Sequence, residues 1–340
     1  MMPSSPVVRH RFWAGVTKIA ARSPAGVSAS WLAMSALGID IGGSKVVVGL
    51  IDGAGRVIRR LRAPTPAREG RGAILQTVLD LADEVVADEA PTNIGIGSAG
   101  VIDGGRVVAA TSLLTNWVGT DLVGHFTERW SRPGEHPHVV AVNDVHAHGV
   151  GEAWCGAGAG RDWVLVVAVG TGLGGVVVQK RKPNLGAHGV AGHLGHITSA
   201  AAADLPCSCG AIGHLEAVAS GYGVVQLYHA LGGDPSITDA QAIMTRTARD
   251  KVAAETVRIS ARALGTALGG LINVIDPGIV IMSGGLANAG SEWWKHLREA
   301  AADEVLPLVA GTGIVQAALG ADAGMVGAAG YALQTGQVGL

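Results

Sequence analysis

The 340-residue sequence is short of charge, of cysteine and of long apolar runs. Charged residues make up 15 % of it and the net charge is −2. With no basic surplus, a surface that neutralises nucleic-acid phosphates is not expected. Hydrophobic residues reach 48 %, but 52 glycines interrupt them. No uninterrupted apolar stretch has the length of a membrane-spanning helix. Three cysteines do not make a disulfide framework, and no low-complexity linker divides the chain. What is left is a soluble, cytoplasmic α/β protein with room for two domains.

The first 36 residues read differently. Arg9, Arg11, Lys18 and Arg22 are unmatched by any acid, and Trp13 and Trp31 lack helical spacing. The apolar core of a signal peptide is missing. The segment reads as a disordered extension, or as the product of an upstream start chosen in place of Met34.

The rest is organised around Leu37 to Ile51, which reads strand, glycine turn, strand. Leu37, Ile39 and Ile41 alternate, and Val46 to Ile51 is a β-branched run. Between them, Gly42 and Gly43 lack side chains that would keep a polyanion from the backbone amides. Ser44 adds a hydroxyl and Lys45 a cation. Asp40, at the strand end, could order a metal-bound water. A plain hairpin with a glycine turn also fits, because short glycine motifs are weak signals. However, Val167 to Gln179 repeats the design, with Gly170, Thr171, Gly172, Gly174 and Gly175 as its turn. Two such turns suggest two related halves that hold a nucleotide triphosphate between them.

Further strands are expected over 56–62, 93–97, 139–142 and 279–282. Helices are expected over 71–90, 146–156, 217–232, 237–249, 251–275 and 321–335, the last packing back on the first domain. Domains are drawn at 37–145 and 146–320. Asn143-Asp144 comes off a strand end, where the Asp144 carboxylate could accept a proton from a substrate hydroxyl or simply cap the next helix. His196, Cys207, Cys209 and His214 suit tetrahedral zinc and fill all four positions, so the site reads as structural. His193 is then free to meet a polar ligand, and an imidazole N–H there can donate to the carbonyl of an N-acetyl group, which a carboxylate would repel. Glu216 is either functional or a first-turn acid that complements its helix dipole. Asn116 offers donor and acceptor to vicinal hydroxyls, or is a turn asparagine.

In this order, the Asp40–Lys45 turn, Asn143-Asp144, the Gly170–Gly175 turn, Gly195-His196 and Cys207 to Glu216 resemble the ROK family of repressors, open reading frames and sugar kinases. The resemblance covers about residues 37–335, and the metal segment is its most specific part. It implies the duplicated actin-like, ribonuclease-H-like fold, with two α/β domains around a cleft. It also implies transfer of the ATP γ-phosphate to a hexose 6-hydroxyl, with Mg²⁺ and a structural Zn²⁺. By resemblance Asp144 is the catalytic base, and Asn116, Asn143 and Glu216 hold the sugar. The two glycine turns hold the phosphates, and Gly284 and Gly285 match the adenosine-side loop. Two residues depart from the family pattern: His214 stands where the last metal ligand is usually cysteine, and His193 replaces a glutamate that contacts the sugar. Some bacterial N-acetylmannosamine kinases resemble the chain in that histidine, so N-acetylmannosamine is the expected substrate, with glucose and N-acetylglucosamine as alternatives. A sugar-responsive repressor is less favoured, because the leader is too short for a helix-turn-helix domain. The expected partners are the sugar and ATP, with no nucleic acid or membrane, in a homo-oligomer (dimer or tetramer).

Overall fold

The computed structural model describes residues 17–19, 35–87, 90–111 and 113–336. The first lobe contains β1 (Thr17–Ile19), β2 (Ser35–Ile41), β3 (Lys45–Asp52), β4 (Val57–Pro64), α1 (Arg71–Val86), β5 (Asn93–Ser98), a hairpin of β6 (Val101–Asp103) and β7 (Arg106–Ala109), α2 (Leu122–Trp130), and β8 (His138–Asn143). Helix α3 (Asp144–Cys155) leads into β9 (Trp163–Val169), β10 (Leu173–Gln179) and β11 (Lys182–Pro183). Then come α4 (Glu216–Ala219), α5 (Gly221–Ala230), α6 (Ala240–Met244), α7 (Lys251–Ile275), β12 (Ile279–Ser283), α8 (Ser291–Glu304), β13 (Ile314–Gln316) and α9 (Ala323–Gly336).

The sheets are ordered β1-β4-β3-β2-β5-β8 and β11-β10-β9-β12-β13. Setting β1 aside, each sheet runs third, second, first, fourth, fifth in its own strand sequence. In each, the first three strands form an antiparallel meander and the last two run parallel to the first. This repeated topology is the duplicated actin-like fold. Each glycine turn joins the first and second strands of its sheet.

Strand β2 is buried along nearly its whole length, as a run packed on both faces should be. One face meets α1; the other meets α9. Across three strands the register aligns Gly49, Gly38 and Gly95. A Cβ at Gly38 would lie 2.1 Å from the Met325 carbonyl oxygen, and one at Gly95 would lie 1.8 Å from that of Ala328. The glycine row therefore lets the small-residue helix α9 sit directly on the sheet. Helix α3 crosses α9 just as closely: a Cβ at Gly327 would lie 1.7 Å from the Ala147 carbonyl oxygen. Buried Glu152 completes the lock, accepting hydrogen bonds from the amides of Ala157, Ala318 and Leu319 at 2.8–3.1 Å. Helix α3 is thus fixed between the lobes, with Asp144 at its first turn.

Several expected boundaries shift. Helix α1 stops at Val86, before Pro91, because Ala87 adopts a positive φ of 55°. The expected helix over 217–232 is two helices. Ser220 ends α4 and its hydroxyl caps α5 by accepting from the Gly223 amide. The helix expected over 237–249 shrinks to α6, started by Asp239. The N-terminal segment enters the sheet through β1, which pairs antiparallel with Arg60–Arg62. The reading of residues 1–36 as a disordered extension, or as the product of an upstream start, did not include that strand; the remainder of residues 1–34 lies outside the described residues. No helix among the described residues is long and apolar enough to cross a membrane.

Candidate active site

Register brings the strand ends together. Asp40 pairs with Gly97 across β2 and β5, and Ser98 pairs with Asn143 across β5 and β8. Asp40 and Asp144 therefore meet at one end of the sheet. Asp40 is pushed up to about 7 by loss of solvent and then by the charge of Asp144, with Lys45 opposing. Loss of solvent also raises Asp144, against the Val145 amide, the Asn143 side chain and the His146 charge. A Cβ at Gly324 would touch the Asp40 carboxylate, so the start of α9 closes over it.

The cap residue of α3 is Asn143, and Asp144, read alternatively as that cap, is instead the first residue of the helix. Asn143 Oδ1 accepts from the Val145 amide at 2.9 Å, and its Nδ2 donates to the Gly100 carbonyl at 2.9 Å. Asn116 is exposed with φ 56°, the turn conformation that asparagine tolerates. Its loop is pinned by buried Trp117, whose Nε1 donates to Ser98 Oγ at 3.1 Å.

The first turn is closed by Gly42 N–H to the Lys45 carbonyl at 3.0 Å, and Thr65 Oγ1 donates to the Gly42 carbonyl. Ser44 is exposed and Lys45 half-buried. The second turn is tied to α5 by Gly221 N–H to the Gly170 carbonyl at 2.8 Å. Only Gly170 and Thr171 of its residues line the adjoining cavity of about 700 Å³. Gly174 and Gly175, read as phosphate-turn residues, lie inside β10 instead. A Cβ at Gly175 would strike Leu194, and one at Gly172 would lie 2.9 Å from Glu216 Oε2. These glycines make room for packing.

The larger cavity also takes Tyr222, Asp239, Gln241 and Asn288, which sequence reading missed; they lie in loops and short helices without a motif. A second cavity of about 500 Å³ runs between the lobes, lined by Asp40, Lys45, His148, Ser283, Gly284 and Gly324 among others. Gly285 lines both cavities. Gly284 has φ 84°, and a Cβ there would lie 2.4 Å from the Val169 carbonyl oxygen.

Glu216 is not a solvated first-turn acid. It is buried, accepts from the Leu173 amide at 2.9 Å, and is bonded by the Ser208 hydroxyl. It joins the cysteine loop to the second glycine turn. In that loop, His196, Cys207, Cys209 and His214 bring four ligand atoms within 4.8 Å of one another. Cys207 Sγ lies 3.6 Å from His196 Nδ1, and Cys209 Sγ lies 3.2 Å from His214 Nδ1. Gly210, at φ 91°, supplies the turn. Donors bound at 2.0–2.3 Å around tetrahedral zinc stand about 3.3–3.8 Å apart; the two thiol–imidazole separations are near that spacing, and two thiols with two imidazoles are donors that such an ion takes.

His193 is exposed and stacks on His196, with centroids 6.1 Å apart. Its Nδ1 lies 2.8 Å from the Val190 carbonyl. A carbonyl only accepts, so Nδ1 carries the proton and the neutral ring presents Nε2 as an acceptor. The expected donation to an N-acetyl carbonyl does not fit this bond, which uses the N–H on Val190. Buried His146 donates from Nε2 to the Ala191 carbonyl at 2.9 Å and so ties the same loop to α3.

A family model described as the ROK family matches residues 36–335. The glucokinase of Thermotoga maritima is 31 % identical over 308 residues, covering 86 % of this chain and 95 % of that protein. An N-acetylmannosamine kinase of Escherichia coli is 31 % identical over 258 residues, covering 75 % and 84 %. A ROK family glucokinase from Streptomyces griseus, solved in complex with glucose and AMPPNP, superposes with a TM-score of 0.70 at 29 % identity, covering 88 % and 99 %. The family match spans both lobes, both glycine turns and the cysteine loop, and the chain belongs to the ROK family.

Proposed function

We propose that this ROK-family sugar kinase transfers the γ-phosphoryl group of ATP to the 6-hydroxyl of a hexose. The observation that carries the reading is the Asp40–Asp144 pair, set between two glycine-turn lobes at one sheet end. Asp144 takes the 6-hydroxyl proton as that oxygen attacks the γ-phosphorus, and the bond from phosphorus to ADP breaks. Loss of solvent raises its proton affinity, which suits a base. The phosphates lie along Gly42–Lys45 and Gly284–Gly285, and the adenosine lies in the larger cavity beside Thr171. Asp40 would hold the Mg²⁺ that accompanies ATP; that ion neutralises phosphate charge when bound. Asn116, in the loop that Trp117 ties to Ser98, and Glu216, through the loop it anchors, support the sugar. His196, Cys207, Cys209 and His214 would hold a structural Zn²⁺ that fixes the loop carrying His193. A dimer or tetramer is part of the same proposal.

For the sugar, the His193 acceptor would favour a hydroxyl on carbon 2, which glucose carries and the 2-acetamido sugars lack. The second reading is N-acetylmannosamine, supported by histidine at this position and by the Escherichia coli relative. Comparison of kcat/KM for glucose, N-acetylmannosamine and N-acetylglucosamine decides between them. Glucose ahead is the expected result; N-acetylmannosamine ahead would reinstate the second reading, and no turnover of any hexose would remove the proposal.

A further inference from the structure

The chemistry above leaves His148 unused. It lies one helical turn beyond Asp144 on α3. It lines the interlobe cavity together with Asp40, Lys45, Ser283 and Gly284. Its Nε2 is 2.8 Å from Ser283 Oγ at the end of β12. The ring thus bridges the helix that carries the candidate base and the loop on the adenosine side. Loss of solvent holds it below its ordinary value; Glu152 pulls the other way and Lys45 adds to the lowering. A neutral imidazole has one N–H and one lone pair. Ser283 can either donate or accept, so its hydroxyl leaves the tautomer open. A polyphosphate only accepts, and therefore decides it.

We propose that His148 is a further ligand of the nucleotide's polyphosphate, donating from Nδ1–H to a phosphate oxygen while Nε2 accepts the Ser283 hydroxyl proton. The proposal rests on reading the interlobe cavity as the ATP phosphate site. It adds a donor, supplied by α3, to the cavity that Lys45 also lines, beyond those of the glycine turns. It also gives Ser283 a purpose: its hydroxyl fixes the tautomer that binds the anion.

Two near-isosteres separate this role from a purely structural tie. Asparagine places its amide nitrogen near the position of Nδ1, and glutamine places its amide near that of Nε2. His148→Gln therefore keeps the Ser283 contact and loses the phosphate donor, whereas His148→Asn does the reverse. Calorimetric titration of each variant and the wild type with AMPPNP, ADP and AMP reads the difference. The ratio of AMPPNP to AMP affinity is an internal control against general loosening. The expected result is that His148→Gln binds AMPPNP and ADP roughly tenfold or more weakly, as loss of a hydrogen bond to a charged group implies. AMP binding stays near the wild-type value, and His148→Asn stays within a few fold for all three. The opposite order, or AMPPNP binding unchanged in both variants, would overturn the assignment while leaving the kinase reading standing. Failure of the wild type to bind AMPPNP would overturn both.

Discussion

Asp40 and Asp144 lie at one end of the first-lobe sheet, close enough that the charge of Asp144 adds to loss of solvent in raising Asp40 to about 7. The ordinary value is 3.8. Between these pH values the folded chain keeps a proton that the unfolded chain releases. Stability therefore falls as pH rises from about 4 to about 7, and the loss is complete above that window. Asp40→Asn removes this contribution. Urea midpoints measured from pH 4.5 to 7.5 should decline less steeply in the variant than in the wild type. Parallel declines would show that Asp40 ionises normally in the folded state.

Much of this arrangement is legible in the sequence, because it rests on short-range pattern. The two glycine turns, the Asn143-Asp144 strand end and the metal-ligand spacing were all found from residue types alone. Glycine itself proved ambiguous. Gly170 lines a cavity, Gly175 makes room for Leu194, and Gly95 makes room for α9. Nothing local distinguishes these uses, since each depends on what packs above the glycine. The His193 tautomer was misread for a similar reason: it is set by the Val190 carbonyl, whose direction depends on the fold of the loop. His148 carried no signal, because its partners Ser283 and Lys45 come from distant strands.

The glycine row makes a stability prediction. A Cβ at Gly95 would lie 1.8 Å from the Ala328 carbonyl oxygen, whereas one at Gly72 in α1 meets nothing within 4 Å. Gly95→Ala must move α9 and should cost about 1–3 kcal/mol, the usual range for overpacking. Gly72→Ala, in the first turn of α1, should instead be neutral or stabilise by up to about 0.5 kcal/mol, below the helix-interior value. Equal effects in chemical denaturation would mean that α9 does not seat closely on the sheet.

The cysteine loop makes a prediction about metal. With four ligand atoms within 4.8 Å of one another, purified protein should carry one zinc per chain. Cys209→Ser should lower that content and the melting temperature. It should also weaken sugar binding, because His193 stacks on the ligand His196. Elemental analysis that finds no zinc, or a melting temperature unchanged by chelator, would count against the site.

The central claim is that Asp144 is the base for phosphoryl transfer to a hexose 6-hydroxyl. Its most direct test follows ATP and hexose by ³¹P and ¹³C NMR, with wild type and Asp144→Asn side by side. The wild type should produce ADP and a sugar phosphorylated on carbon 6. Asp144→Asn should melt as a folded protein and still bind AMPPNP, yet form that product at least ~100-fold more slowly, the lower end of general-base contributions. A folded variant that turns over near the wild-type rate, or a wild-type product phosphorylated elsewhere on the sugar, would contradict the account.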